Sequence, residues 1–260
     1  MVGYYEAPRA RRLMRDYDRM ARIAKPVLAL HFDPEYVDAV VKETSREFLR
    51  LIPHIPHIGG GQNPLSDNLE KSAMLLALHR VLKARGMTLE EIAEINYKIV
   101  ETYIASMPRL ATLLSGWWAF TWFYRRSLKK RAKESQLRLY PGDWVFDYVE
   151  GDGKKFDFGV DYTECGIVKF LRARGAHELA KHLCPFDYLL SDAMGLGLVR
   201  TTTLAEGGKR CDFRFKRGRR TTVLGPTSAC PWDARAGRAI EVGRFGRQGV
   251  RVCDPLEVVR

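Results

Sequence analysis

The order of apolar and polar positions predicts a helical first half of the chain. Apolar residues recur at helical spacing over 9–24, and this helix is expected to end before Pro26. A second helix is expected over 33–51, because Pro34 occupies a first-turn position where its missing N–H costs little. The segment 88–91 has capping-box spacing, Thr followed three residues later by Glu, and predicts another helix start.

The apolar peak of the chain is the segment 111–124, ATLLSGWWAFTWFY, which Arg109 and Arg125 bracket. It is too short for a membrane span, which needs roughly 20 residues. The pattern favours a buried helix that continues to about residue 137. The alternative is an interfacial helix, with aromatic rings in lipid and the following Arg and Lys side chains at the headgroups.

After Pro141-Gly142 the pattern changes from helical periodicity to strands. The predicted elements are strands at 144–149, 155–162, 198–204 and 211–215, and helices at 165–174 and 177–194. This ββααββ order predicts an antiparallel sheet with helices on one face, and hence an α+β fold. The expected organisation is a helical region at 1–139, an α+β unit at 140–217 and a basic, poorly ordered tail at 218–260.

Charge and composition restrict the function classes. The chain of 260 residues is 46% hydrophobic and carries a net charge of +12, about half of it after residue 215. No nucleic-acid-binding motif accompanies the basic clusters, so no nucleic-acid partner is expected, whereas weak membrane-surface contact stays open. Five unevenly spaced cysteines without a secretory signal are typical of a reducing, cytoplasmic environment.

Cys165 holds the most informative position in the chain. It falls where the strand ending near Tyr162 meets a helical pattern, with Thr163 as the expected N-cap. Backbone N–H groups and the helix dipole stabilise a thiolate at such a place, which favours a nucleophilic or metal-binding sulfur. The alternative is a small buried hydrophobe.

Several motifs carry a resemblance to a known family. They are IGG at 58–60 with Asn63-Pro64, the segment 73–82 followed by Gly86, YPGDWVFD at 140–147, 156–165, 177–195, TTTLAEGG at 201–208 and CDFRF at 211–215. With these residues the chain resembles the bacterial L-2-amino-thiazoline-4-carboxylic acid hydrolase family over roughly residues 35 to 216. The ββααββ order also resembles, more faintly, the vinyl-reductase-type ligand-binding modules of bacteria.

The resemblance implies a hydrolase that opens a small cyclic amidine of the thiazoline type at a carbon–nitrogen or carbon–sulfur bond. The alternative is a non-catalytic sensor of small molecules. A substrate carrying a carboxylate is expected to bind close to backbone N–H groups at Gly59 and Gly60, beside Asn63. Arg200 and Arg214 are further candidates, because arginine pairs bidentately with carboxylates.

Ring opening of an amidine needs a nucleophile and a group that moves protons. Cys165 is the candidate nucleophile, and Glu164, His182 and Asp187 are the acid–base candidates. Glu164 is expected to point away from its neighbour Cys165. His182 and Asp187 could equally be solvent-facing helix residues.

Three cysteines lie inside the matched region, Cys165, Cys184 and Cys211, and the family motifs also place cysteine at these positions. Their separations fit no standard zinc spacing. A Cys165-centred active site, a three-cysteine metal site and simple core packing therefore all stay open. No cofactor follows from the sequence with certainty, and a metal ion is the one candidate.

Overall fold

A computed structural model of the protein describes residues 7–223 and 240–241. The helices of these residues are α1 (Ala7–Leu28), α2 (Pro34–Leu51), α3 (Ser66–Ala84), α4 (Leu89–Ala105), α5 (Arg109–Ala119), α6 (Trp122–Ser135), α7 (Gly166–Ala173), α8 (Ala180–Leu183) and α9 (Phe186–Met194). The strands are β1 (Val145–Glu150), β2 (Phe158–Glu164), β3 (Leu198–Arg200), β4 (Cys211–Phe215), β5 (Thr222–Val223) and β6 (Ile240–Glu241). An α+β fold with a helical N-terminal region is thus confirmed.

The described residues divide into two units that are discontinuous along the chain. The first comprises 7–103, 140–143 and 166–183, and the second comprises 104–139, 144–165, 184–223 and 240–241. The first unit is helical, and the second contains the sheet with α5, α6 and α9. The division of the chain predicted at residues 139 and 217 stays a prediction.

The core of the helical unit lies between its first four helices. Apolar faces of α1, α2, α3 and α4 meet there, with the buried side chains Val27, Leu28, Val37, Val40, Leu78, Val81, Leu82, Ile92, Ile95 and Ile99. Glu70 of α3 is also buried, and its two carboxylate oxygens accept hydrogen bonds from Arg9 and Arg12 of α1. Removing either guanidinium would leave this carboxylate poorly compensated.

Two predicted helix starts are confirmed in atomic detail. Asp33 caps α2, its Oδ1 accepting a hydrogen bond from the backbone N–H of Tyr36 at 2.8 Å, and Pro34 follows as the first helical residue. At α4 the Thr88 N–H donates to Glu91 Oε2 at 2.8 Å, and the Glu91 N–H donates to Thr88 Oγ1 at 3.3 Å. Both motifs satisfy N–H groups that a helix leaves unpaired at its start.

The expected end of α1 before Pro26 is wrong. The helix continues to Leu28, and the Ala29 N–H donates to Lys25 O at 2.9 Å beyond the proline. Val27 and Leu28 are both buried in the core just described. Burial of these two side chains therefore outweighs the hydrogen bond that proline cannot make.

The sheet of the second unit has the order β1-β2-β4-β3-β5-β6. Strands β1 to β4 pair antiparallel, whereas β5 runs parallel to β3. One sheet face packs against α6 through a largely aromatic core formed by Ala119, Leu128, Ala132, Phe146, Phe158 and Val160, with Tyr162, Phe213 and Phe215 beside them. The predicted antiparallel pairing of β1 to β4 is therefore observed.

The apolar peak does not form the buried helix that its composition favoured. The chain breaks between α5 and α6, where Thr121 caps α6 by accepting from the Tyr124 N–H. Most large apolar side chains of the segment are exposed, including Trp117, Trp118, Trp122 and Phe123. No helix among the described residues is long and apolar enough to cross a bilayer.

The predicted basic tail lies outside the described residues except for 218–223 and 240–241. Within these, β5 pairs with β3 and β6 pairs with β5. Thr221 is buried, and its hydroxyl shares a hydrogen bond of 3.0 Å with that of Ser191 in α9.

Candidate active site

Cys165 lies between the last residue of β2 and the first residue of α7, as predicted from its strand-to-helix position. Its thiol is partly buried. Thr163, however, does not cap α7, because it belongs to β2 and its hydroxyl donates to Val145 O at 3.3 Å. Strand β2 continues two residues beyond its expected end at Tyr162, so Thr163, the expected N-cap of the helix, is a strand residue instead.

The other two thiols of the matched region lie in the same electrostatic neighbourhood. Burial raises the pKa of Cys184 well above its ordinary value, and Asp187, Cys211 and Cys165 raise it further against the opposing charge of Arg200. Burial also raises the pKa of Cys211 to about 12, even though the Leu204 N–H donates to its sulfur at 3.2 Å. Cys184 and Cys211 are therefore neutral thiols at physiological pH.

A buried arginine organises this neighbourhood. The side chain of Arg200 is 3% exposed; its Nη1 donates to Asp187 Oδ2 at 2.7 Å and its Nη2 to the Cys184 carbonyl at 3.1 Å. Its guanidinium lies 4.8 Å from the ring centre of Tyr188 and 5.0 Å from that of Phe213. Two aromatic faces and two acceptors thus compensate the burial of its charge.

Local structure explains how Arg200 meets its partners. Pro185 interrupts the predicted helix 177–194 between α8 and α9, and the Cys184 carbonyl just before it accepts a turn hydrogen bond of 3.3 Å from the Asp187 N–H. The Arg200 Nη2 donates to that carbonyl, while Asp187 follows in the first turn of α9. Within the described part of the chain, the buried Arg200 Nε finds no hydrogen-bond partner.

Asp187 combines a raised pKa with an accessible side chain. Burial raises the pKa of its carboxyl despite the opposing charge of Arg200. Yet 47% of the side chain is accessible to solvent. Together these indicate a carboxyl that protein atoms surround closely but that a small molecule or water can still reach, which suits a group that exchanges protons.

The two predicted carboxylate-binding arginines face opposite sides of the sheet. Val199 pairs with Arg214, so Arg200, the next residue of β3, points to the other face. Arg214 Nη1 donates to Asp161 Oδ1 at 2.6 Å, an ion pair on the face away from Arg200. Only Arg200 therefore lies with the thiols.

Glu164 makes an ion pair rather than joining the cluster of Asp187 and Arg200. Its Oε1 accepts from Arg138 Nε at 3.0 Å, and both side chains are partly exposed. The expectation that Glu164 points away from Cys165 stays a prediction.

His182 belongs to the helical unit and is buried rather than solvent-facing. Burial lowers its pKa, with Lys181 acting in the same direction and Glu90 against it. Among the described residues, neither ring nitrogen has a hydrogen-bond partner. The pKa of the neighbouring buried His79 is also lowered, again first by burial.

The predicted substrate loop is tied to a turn within the helical unit. The Asn63 side-chain amide donates to Ile58 O at 2.7 Å and to Asp143 Oδ2 at 2.8 Å. Gly59 has φ of 99°, and a Cβ there would lie 3.4 Å from the Tyr140 ring. Glycine and asparagine thus hold this loop in shape.

A second glycine of the helical unit adopts a left-handed backbone conformation as well. Gly60 also has positive φ, at 60°, and its carbonyl accepts from the Ser66 hydroxyl at 2.7 Å. These contacts give Gly59, Gly60 and Asn63 a structural role in shaping the loop. Their role in substrate binding stays a prediction.

A metal centre finds no support in the described residues. Over 7–223 and 240–241, no group of three or more His, Cys, Asp or Glu side chains is arranged to hold a metal ion. Cys165, Cys184 and Cys211 therefore do not form such a group, although their thiols influence one another.

Two residues of this neighbourhood were missed by sequence reasoning. Tyr188 lies under the Arg200 guanidinium, and its hydroxyl donates to Arg200 O at 3.4 Å. Burial, followed by Tyr124 and Asp187, raises the pKa of Tyr162. Tyr162 pairs with Cys211 across the sheet, and strand alternation from Cys211 could have identified it.

Fold and site together define an α+β protein in which a buried arginine, an accessible carboxyl and three thiols share one electrostatic neighbourhood. The family model for L-2-amino-thiazoline-4-carboxylic acid hydrolase matches residues 67–215, more than half of the chain. The chain therefore belongs to this family. Comparisons with curated proteins and with solved structures give no significant match.

Proposed function

We propose that the protein is a hydrolase that opens a small cyclic amidine of the 2-amino-thiazoline-4-carboxylate type. The observation that carries this proposal is the Asp187 carboxyl, which has a raised pKa, remains accessible and is held by Arg200 beside the thiols. Family membership supplies the reaction class. The substrate and the roles of the residues are our inference.

In the proposed first step, the Cys165 thiolate attacks the amidine carbon between nitrogen and sulfur. A bond forms between that carbon and Cys165 Sγ, the ring carbon–sulfur bond breaks, and the leaving sulfur takes the proton of the Asp187 carboxyl. The raised pKa of Asp187 suits this donation, because it widens the pH range in which the carboxyl holds a proton to give.

In the second step, ionised Asp187 removes a proton from water as the water oxygen attacks the same carbon. The carbon–sulfur bond to Cys165 then breaks, the thiolate is regenerated and the product is a carbamoyl derivative. One water is consumed and Asp187 recovers its proton, so the cycle closes. Breaking the ring carbon–nitrogen bond instead would follow the same scheme with an amine as leaving group.

Arg200 has two supporting roles in this proposal. Its Nη1 fixes the Asp187 carboxyl, and its buried Nε–H, which lacks a partner among the described residues, would be satisfied by a substrate carboxylate. Arg214 is less suited to binding a substrate carboxylate because its guanidinium already forms an ion pair with Asp161.

The main test is turnover of 2-amino-thiazoline-4-carboxylate by purified protein. Carbon–sulfur cleavage releases a titratable thiol, whereas carbon–nitrogen cleavage releases an amine, so the product reveals which bond breaks. We expect Cys165→Ser to abolish turnover and Asp187→Asn to lower kcat by about 10²- to 10⁴-fold. Asp147→Asn, on an exposed strand position, is the matched carboxyl control and should leave kcat unchanged.

Binding measurements separate the enzyme from the sensor alternative. An enzyme should still bind the heterocycle after Cys165→Ser, with turnover lost. A wild-type protein that binds the heterocycle without opening it would instead support a sensor, and no binding at all would reject the substrate class.

Thiol labelling tests the assignment of the nucleophile without a substrate. The raised pKa values of Cys184 and Cys211 predict slow alkylation by iodoacetamide near neutral pH, since only a thiolate reacts. We expect Cys165 to be modified first, and a carboxylated heterocycle to protect it. Mass spectrometry showing Cys165 unmodified in the folded protein would shift the chemistry to Asp187 acting directly on water.

A further inference from the structure

Helix α5 has an apolar stripe that faces solvent. The stripe consists of Leu110, Leu113, Leu114, Trp117 and Trp118, which recur at the three- and four-residue spacing of one helix face. Their exposed fractions run from 44% at Leu113 to 71% at Leu110. In a folded domain such a stripe ordinarily packs against the core, so its outward orientation calls for a partner.

Close packing on the opposite side of α5 fixes this orientation. Gly116 and Ala119 are buried, and a Cβ at Gly116 would lie 1.8 Å from the backbone oxygen of Met194 at the end of α9. The small residues thus face inward and the large ones outward. The helix cannot turn its stripe inward without losing this backbone contact.

The exposed apolar surface extends into the first turn of α6. Trp122 is 59% exposed and Phe123 67% exposed, directly after the Thr121 cap. We refer to the α5 stripe with Trp122 and Phe123 as the aromatic face. It contains three tryptophans, the residue type enriched where membrane meets water.

The aromatic face borders a strongly basic helix. Helix α6 carries six Arg or Lys residues and a single Glu. Arg126 is exposed and lies over the Trp122 ring at 5.4 Å, and Lys133 is exposed near the helix end. Lys129 and Lys130 are exposed too, although each is paired, with Glu150 and Glu134 respectively.

We propose that the aromatic face and α6 dock the protein onto the surface of an anionic lipid bilayer. The large apolar side chains would enter the boundary between headgroups and acyl chains, and the cations of α6 would meet anionic headgroups. The occupant follows from charge: a lipid surface supplies both apolar and negative groups. A second copy of the chain would bring another basic α6 to the same interface, which opposes self-association.

Vesicle binding tests the proposal with the full-length protein. We expect co-sedimentation with vesicles of phosphatidylcholine and phosphatidylglycerol, weaker binding to phosphatidylcholine alone, and release by added salt. A blue shift of tryptophan fluorescence on binding would report entry of the aromatic face into lipid.

Two double variants separate the apolar and the electrostatic parts. Leu114→Glu with Trp118→Glu should abolish binding, because it places charges in the stripe. Arg126→Glu with Lys133→Glu should weaken binding to anionic vesicles by more than about tenfold, since each basic residue near the surface contributes measurably. Leu30→Glu is the control, because Leu30 is a leucine outside the aromatic face that is even more exposed than Leu114, 78% against 57%.

Each remaining outcome would overturn the proposal. The first is equal binding to neutral and anionic vesicles, and the second is no binding to either. The third is binding that persists in the Leu114→Glu, Trp118→Glu double variant while its circular dichroism spectrum is unchanged. A concentration-dependent dimer that the same double variant dissociates, seen by light scattering, would assign the aromatic face to a second copy instead.

Discussion

The two faces of the sheet differ sharply although neighbouring residues of the same strands build them. On the covered face, burial raises the pKa of Cys211 to about 12. Asp212, the next residue, faces the other way; burial acts to raise its pKa, but hydrogen bonds from Thr201 and Thr202 outweigh burial and lower it. A one-residue step along β4 thus separates a neutral thiol from a stable carboxylate.

This difference shows why only one of the two arginines belongs to the candidate site. Arg200 is buried among aromatic rings and holds an accessible carboxyl. Arg214 closes an ion pair with Asp161 on the other face. Residue type alone made them equivalent candidates, and strand register distinguishes them.

The largest expected effect comes from removing the buried arginine. Arg200→Leu should lower the free energy of unfolding by about 3 kcal/mol, because it removes a buried guanidinium together with its hydrogen bonds to Asp187 and to the Cys184 carbonyl. Arg214→Leu, the matched change on the other face, should cost about 1 kcal/mol. Urea unfolding of both variants measures the contrast, and equal losses would contradict it.

A smaller effect is expected at Gly159 of β2, where the neighbouring strand leaves no room for a side chain. A Cβ at Gly159 would lie 2.7 Å from Phe213 O and 2.9 Å from Arg214 Cδ. Gly159→Ala should therefore destabilise the protein by about 1–3 kcal/mol through overpacking. Gly153→Ala in the β1–β2 turn is a control without crowding, since a Cβ there meets nothing within 4 Å, although its φ of +69° adds strain of its own. If thermal unfolding shows that Gly153→Ala destabilises the protein more than Gly159→Ala, the crowding argument is contradicted.

Asp212→Asn should cost about 1 kcal/mol near neutral pH, since the carboxylate accepts from the Thr201 and Thr202 backbone N–H groups and from the Thr201 hydroxyl. Its pKa is lower in the folded state than the ordinary 3.8. The stabilisation is thus present above pH 3.8 and is lost as pH falls through the lowered pKa. Unfolding curves at several acidic pH values should show wild type and variant converging, and a constant difference would reject the assignment.

Asp187→Asn should give the smallest effect and the opposite pH dependence. The folded-state pKa of Asp187 is raised above 3.8, so the folded protein binds the proton more tightly and loses stability as pH rises from about 3.8 through the raised value. The asparagine variant lacks this loss. Wild-type stability relative to the variant should therefore decrease with rising pH in this window, and an increase would show that the Arg200 charge dominates.

Much of the fold could be predicted from sequence because local chemistry determines it. Asp33 with Pro34, and Thr88 with Glu91, marked their helix starts correctly, since a cap depends only on residues within one turn. The end of α1 was predicted too early because Pro26 disfavours a helix locally, whereas burial of Val27 and Leu28 in the core stabilises the helix beyond it. The buried helix predicted over 111–124 was wrong because composition gives the number of apolar side chains but not whether they face the core or solvent.

The candidate site was predictable only in its parts. Cys165, Asp187 and Arg200 could each be named from motif and residue type, but their association depends on strand register and on the break at Pro185. His182 was named as an acid–base candidate in the same way; its electrostatic neighbours Lys181, Glu90 and His79 belong, like His182, to the helical unit, and its role stays a prediction. Tyr188 was missed because an aromatic residue that lies under a guanidinium has no pattern of its own.

Helix α9 connects two of the features described above. Asp187 lies in its first turn, and the backbone of Met194, its last residue, contacts Gly116 of α5. The eight residues from Asp187 to Met194 thus join the candidate acid to the base of the aromatic face. Reciprocal linkage then requires that any change in substrate affinity caused by anionic vesicles be matched by an equal change in vesicle affinity caused by substrate.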